Sequence, residues 1–341
     1  MKIRLKWIIA SEALVILLLL AFIISLEAGK AKTIQSAAAI NPNGLLSPRV
    51  YSGLLKPQSF LITNFDPLKE KLKDYIKQHD LNVSVYVENL RNGAQMGINE
   101  HIGLYPASLN KIPVAILVMD KIEKGKLSLD TVLQINDSDK NDPTSDFYKS
   151  NGSKASVQVL INKMLKESDN TAFYTLLRNI DRRDLERLLS YYDLDPRATY
   201  SLNGMSGQEL NSRLITPLAL SNIFSSLYLS TVLKPNSSEY ILYLLTDDLF
   251  DIKKIANLPD NVKVAQKFGA YYGNGLRYFH DCGIIYSGET RILFCIMTKD
   301  MDEPVAIGNI GLFVHSIYSY TNYTREQLDV FRSEASISLP S

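Results

Sequence analysis

YPASLNKIPVAILVMDKI, residues 105–122, places a serine three positions before a lysine at the head of an apolar run. On a helix, positions i and i+3 share a face with Cβ atoms about 5–6 Å apart, so a helix starting near Ser108 brings Lys111 within reach of its hydroxyl. A serine hydroxyl is a weak nucleophile until a neighbouring base takes its proton, and a lysine desolvated among apolar side chains can be that base. The run after Lys111 provides such surroundings. S-x-x-K is also frequent by chance, and Ser108 could simply cap the helix. The pair gains weight only from the rest of the chain.

Fifty-seven residues beyond Lys111, KESDNTA (166–172) carries Ser168, Asp169 and Asn170 at the end of a helical pattern. A serine and an asparagine two apart can face one cleft, Ser168 relaying a proton and Asn170 holding a substrate amide. The alternative is a helix boundary whose Ser and Asn satisfy backbone groups. Further on, QKFGA (266–270) sets Lys267 on a strand beside Gly269, where a ligand or a second chain segment can approach the backbone closely. Lys267 would attract a substrate carboxylate, and the Ala270 N–H could join that of Ser108 as an oxyanion hole. The plain alternative is a surface lysine at a strand end.

Around these motifs the hydrophobic pattern predicts an α+β fold. FDPLKEKLKDYIKQHD (65–80) reads as a first helix, with Asp66 as N-cap, Pro67 at the first helical position and Leu68, Leu72, Tyr75 and Ile76 on one stripe. VSVYVENLRNGAQMGI (83–98) alternates around Asn92-Gly93, a hairpin signal because both residues tolerate positive φ. From Ser108 to about Tyr243 the pattern is mostly helical. Strand signals return in KVAQKFGAYY (263–272), RYFHDCGIIY (277–286) and TRILFCIMTK (290–299), followed by a helical PVAIGNIGLFVHSIYSYT (304–321). Strands from both chain ends therefore build one antiparallel sheet around a helical insertion.

The 341 residues, 46% hydrophobic with a net charge of +1, fit a globular protein and give no electrostatic reason to expect nucleic acid as a partner. After a basic flank at residues 1–6 (Lys2, Arg4, Lys6), Trp7 to Leu26 is apolar apart from Ser11, Glu12 and Ser25. Twenty helical residues rise about 30 Å, one hydrocarbon core, so 7–26 reads as a signal-anchor in a lipid bilayer with the rest of the chain outside the cytoplasm. A cleaved signal peptide is the alternative, since Ala37–Ala39 offers small residues, though well past the apolar run. Residues 27–63 read as a tether, 64–330 as the folded domain and 331–341 as a tail. Cys282 and Cys295 read as two buried thiols flanking the turn YSGETR, with a cross-strand bridge as the alternative. His79, His101, His280 and His315 have no metal-ligand spacing, so no metal is expected.

The three motifs together, in this order, are the S-x-x-K, S-D-N and K-T-G signatures of the class A β-lactamases and penicillin-binding proteins, which the chain resembles over residues 64–330. HDCGIIY (280–286) and ITPLALSNIF (215–224) are similar to that family too. The resemblance implies a five-stranded antiparallel sheet packed on a helical subdomain, no cofactor, a monomeric domain, and a bacterial, cell-envelope location. It implies acylation of Ser108 with Lys111 as proton acceptor, Ser168 as proton shuttle to the leaving nitrogen, Asn170 on the acyl-side amide, and Lys267, Gly269 and Ala270 on the substrate. Asp169 would brace its loop. The substrate would be a β-lactam or a D-Ala-D-Ala-like peptidoglycan stem peptide.

Two departures stand out. Phe268 replaces the hydroxyl residue of K-T-G, and losing a hydrogen bond to a charged group costs roughly 1.5–3 kcal/mol, about ten- to hundredfold in affinity for a carboxylate. In GQELN (207–211), Leu210 and Asn211 match the family's E-x-x-L-N, which puts Gly207 where the deacylating glutamate belongs. An acyl-enzyme would then persist unless Glu209, on the same loop, supplies the base. A descendant that only binds wall peptides or a partner protein is the reading from another class.

Overall fold

The computed structural model describes Leu45 and residues 64–140, 142–148, 153–192, 214–273 and 275–337, with side chains to residue 322. Its first helix, α1 (Asp66–Gln78), is followed by the hairpin β1 (Val83–Asn89) and β2 (Gln95–Ile98). Gly93 turns that hairpin at φ +77°, as the Asn92-Gly93 signal predicts. A 3₁₀ turn (Ala107–Asn110) leads into α2 (Lys111–Glu123). A small ribbon, β3 (Val132–Gln134) with β4 (Lys154–Ser156), precedes α3 (Val157–Lys166), α4 (Asn170–Arg178) and α5 (Arg182–Tyr191). Then come α6 (Pro217–Leu229), α7 (Pro235–Leu244) and the one-turn α8 (Ile252–Ile255). The chain closes with β5 (Lys263–Gly273), β6 (Leu276–Ser287), β7 (Thr290–Lys299) and α9 (Glu303–Ile337).

Strands β1, β2, β5, β6 and β7 form one antiparallel sheet in the order β2-β1-β7-β6-β5, so the two ends of the domain meet where β1 pairs with β7. That is the α+β arrangement the patterning predicts. β6 and β7 are buried along almost their whole length because both faces are covered. On one face α1 and α9 contribute Leu68, Leu72, Phe313 and Ile317 against Val85, Phe294 and Ile296. On the other, Ile112, Ile116, Leu160 and Phe224 of the helical block pack over Ala265, Ile284 and Leu293. Leu45, inside the stretch read as a tether, is buried in this second layer, and its carbonyl accepts from the Tyr286 hydroxyl at 2.9 Å.

Three expectations need correction. Cys282 and Cys295 are joined as a disulfide: they stand directly opposite each other in the β6–β7 register, which spacing along the chain does not reveal. Phe65 rather than Asp66 occupies the N-cap of α1; Asn64 Oδ1 accepts from the Asp66 amide, and Asp66 takes a first-turn position, where its charge suits the helix dipole. α9 continues past residue 330, no Gly or Pro standing between Gly311 and Pro340 to stop it. Among the described residues no helix is long and apolar enough to cross a membrane; the segment 7–26 lies outside them.

Candidate active site

Ser108 sits in the 3₁₀ turn rather than at a helix N-cap, and two features of the sheet hold it there. The segment before it, Tyr105–Ala107, lies directly on β5 and β6. A Cβ on Gly269 would come within 2.8 Å of the Pro106 oxygen and 3.2 Å of the Ser108 nitrogen, so only glycine lets the strand come this close. Beside it His280, fully buried, bridges two backbone groups: its Nδ1 accepts from the Thr298 amide at 3.1 Å and its Nε2–H donates to the Tyr105 carbonyl at 2.8 Å. Since the amide can only donate, this assigns the neutral tautomer with the proton on Nε2. Burial pushes the imidazole down to about 4. Ala107 has a left-handed φ of 49°, an uncommon state for alanine that the flanking clamp sustains.

Lys111 is the first residue of α2 and is 2% exposed, while Ser108 is only half-buried. Its Nζ meets four oxygens: Ser108 Oγ at 3.0 Å, Ser168 Oγ at 2.9 Å, Asn170 Oδ1 at 2.7 Å and the Ser168 carbonyl. None carries a formal charge. Burial above all, and then the nearby Lys267 charge, holds the amine well below the ordinary lysine range, and its place at the positive end of a helix acts in the same direction. A neutral amine has two N–H donors and one lone pair. The Ser168 carbonyl and Asn170 Oδ1 can only accept and match the two donors. The lone pair of such an amine would then be left for a hydroxyl.

The SDN motif reaches Lys111 because it interrupts what reads as one helical stretch. Ser168 adopts φ 57°, which ends α3 and turns both its carbonyl and its hydroxyl onto the amine. Asp169 caps α4, its Oδ1 accepting from the Ala172 amide at 2.8 Å, so it braces the motif as expected. Asp142, not singled out in the sequence, accepts from the Asn170 amide at 3.4 Å.

Lys267 lies on the same face of β5 as Gly269, the strand alternating in period two, but it is not a surface lysine. Its side chain and that of Asp248 have no exposed area and form an ion pair, and the ammonium lies 4.4 Å from the centre of the Phe268 ring. Phe268 also packs against Phe250 at 5.6 Å and Phe279 at 6.1 Å between ring centres. Asp248 escaped the sequence reading because it sits 19 residues upstream in an acidic loop, TDDLFD, with no motif around it. Ala270 follows on the same strand. Glu209, Gly207, Leu210 and Asn211 lie outside the described residues.

Among the described residues no cluster of three or more His, Cys, Asp or Glu could hold a metal ion. A cavity of about 440 Å³ opens behind β5, lined by Leu45, Asp248, Phe250, Val264 and Gln266 among others, and does not include Ser108, Lys111 or Ser168.

A serine paired with a buried, charge-poor lysine, with no histidine between them, is the serine–lysine kind of hydrolase site. The chain belongs to the β-lactamase enzyme family, whose model matches residues 67–320. It is similar to the β-lactamase VEB-1 of Pseudomonas aeruginosa, 23% identical over 241 residues that cover 67% of this chain and 81% of that protein. Among solved structures, the TLA-1 extended-spectrum β-lactamase shares the fold with a TM-score of 0.67 at 21% identity, covering 76% of this chain and 99% of that one. A β-lactamase from Xanthomonas campestris pv. campestris gives 0.66 at 21% identity, covering 76% and 100%. PBP-A gives 0.65 at 15% identity, covering 77% and 99%.

Proposed function

We propose that this serine hydrolase is an anchored, extracytoplasmic enzyme that forms an acyl-enzyme on Ser108 and deacylates it slowly. The single observation that carries the reading is the Lys111 amine, buried among four uncharged oxygens 3.0 Å from Ser108 Oγ. Lys111 takes the hydroxyl proton as Oγ bonds to the carbonyl carbon. The carbon–nitrogen bond then breaks and the proton passes through Ser168, 2.9 Å from the same amine, to the leaving nitrogen. The Ser108 amide, beside Gly269, and the Ala270 amide are the oxyanion-hole candidates, and Asn170, next to Lys111, would take the acyl-side amide. Water then has to release the acyl group, and Gly207 in place of the family's glutamate supports a long-lived adduct, with Glu209 the alternative base.

The acyl donor is a β-lactam or a peptidoglycan stem peptide. A variant of PBP-A, similar in fold at a TM-score of 0.64, 16% identity and coverage of 76% and 99%, was solved as its acyl-enzyme complex with penicillin G. Export is supported by the apolar segment 7–26 behind a basic flank and by the Cys282–Cys295 disulfide, since such bonds persist in oxidising compartments.

The test is the intact mass of the full-length protein in detergent over time with excess benzylpenicillin, beside Ser108→Ala. A lasting adduct that needs Ser108 is expected. Rapid drug hydrolysis with a transient adduct would overturn slow deacylation and point to Glu209. No adduct and no hydrolysis would favour a binding module, a reading that Phe268 in place of the hydroxyl residue already favours.

A further inference from the structure

Two groups on β5 are positioned to grip a carboxylate in this family's signature, a lysine and the hydroxyl residue after it. In this chain both are withdrawn, in independent ways. The hydroxyl is absent because Phe268 stands there and packs on Phe250 and Phe279. The lysine is present, but its ammonium donates to Asp248 inside the fold, where neither side chain has any exposed area.

An ion pair in that setting has no net charge, and the sum remains zero if the proton moves from Lys267 to Asp248. The remaining acid in the cluster, Asp281, stands on β6 directly opposite Phe268 and is fully buried. Its carboxyl is pushed well up by burial and then by Asp248, and in either protonation state it adds nothing that attracts an anion. The charge that would attract an anion is therefore already balanced from within. An incoming carboxylate would have to compete with Asp248 for the same ammonium and lose its own hydration while doing so.

We propose that Asp248 is a specificity-determining residue: by pairing with Lys267 it removes the site's preference for an acyl donor that carries a carboxylate on its leaving-group side. Neutral amides and esters are then accepted as readily as a free C-terminal acid. This inference rests on the acyl-enzyme reading of Ser108, and it deepens that reading by naming the charge classes of substrate that the site accepts.

The probes are benzylpenicillin and its methyl ester, which present the same lactam with and without the carboxylate. Second-order acylation rates are read by intact mass on the full-length protein in detergent. The ratio of acid to ester is expected near one in the native protein and nearly independent of salt. In Asp248→Asn, which frees the Lys267 charge, it is expected to rise about tenfold or more in favour of the acid, the scale of a hydrogen bond to a charged group. Should that variant fail to fold, Lys267→Met/Asp248→Leu removes both charges together and is expected to keep the native ratio while both rates change in step. A native preference for the acid of about tenfold or more, lost in that double variant, would overturn the proposal and leave the acyl-enzyme reading intact. Absence of acylation by both probes would overturn the two together.

Discussion

Lys111 and Lys267 share a fate that most lysines avoid: both are buried, at 2% and 0% exposure, in the same part of one domain. What surrounds each nitrogen differs. Lys111 is ringed by hydroxyl, amide and carbonyl oxygens, none charged, whereas Lys267 meets a carboxylate. Burial disfavours the ammonium at both positions, and at Lys267 Asp248 offsets part of that penalty while nothing comparable faces Lys111 at hydrogen-bonding distance. Burial therefore does not by itself make a lysine a base. The charge of the acceptor next to it decides whether it gives up its proton or keeps it in a pair.

The comparison breaks most visibly at Lys111. Lys111→Met is expected to slow acylation of Ser108 by about 10²–10⁴-fold, the range for a positioned general base. In the native protein the acylation rate should rise with pH through the depressed Lys111 value and level off well below the ordinary lysine range. A rate that keeps climbing to alkaline pH would show that Lys111 retains its proton and that the two lysines are alike.

At Lys267 the corresponding damage is to stability. Asp248→Asn leaves a buried ammonium without its counter-charge and is expected to cost about 3–5 kcal/mol in denaturant unfolding. Lys267→Met/Asp248→Leu should recover most of the loss. If the single and double variants unfold alike, the pair contributes packing rather than charge balance.

His280 sharpens the contrast, because it is a buried base with no charged partner and so falls on the Lys111 side. Its value drops from 6.5 to about 4, so the unfolded chain binds a proton that the folded one refuses. The sign follows: the stability is fully present above pH 6.5 and is lost as pH falls toward 4, by roughly 3 kcal/mol. His280→Gln, which cannot titrate, should show a correspondingly shallower acid decline between pH 7 and 4. Equal slopes would mean that the imidazole is protonated in the fold.

Asp169→Ala should be the mildest change. Removing the cap of α4 is expected to cost about 1 kcal/mol and to slow acylation modestly by loosening Ser168 and Asn170 about Lys111. A loss as large as that of Lys111→Met would place Asp169 in the chemistry itself.

Much of the fold was legible because its signals are local. Asn92-Gly93 specifies the first hairpin, period-two alternation marks the strands, and apolar spacing marks the helices. Ser108, Lys111, Ser168, Asn170 and Lys267 were legible as candidates because three motifs in a fixed order are improbable by chance. Four elements of the site were not. Asp248 and Asp142 lie in polar loops whose composition resembles any surface loop. His280 had no ligand spacing and served instead to hold the Tyr105 carbonyl. The cysteine bridge depended on register, and a shift of one residue between β6 and β7 would have turned the two side chains to opposite faces.

Helix periodicity, turn residues and short motifs act within a few positions of one another, so the order of residues along the chain fixes which elements form and which residue types are available for chemistry. What each of those residues became was set by the packing of distant segments. Ionisation depends on desolvation and on partners brought from far along the chain: Ser168 and Asn170 to Lys111 across 57 and 59 positions, Asp248 to Lys267 across 19, His280 to the Tyr105 carbonyl across 175. Folding removes the water that would otherwise keep every lysine charged, and the oxygens it supplies in place of that water differ from one lysine to the other.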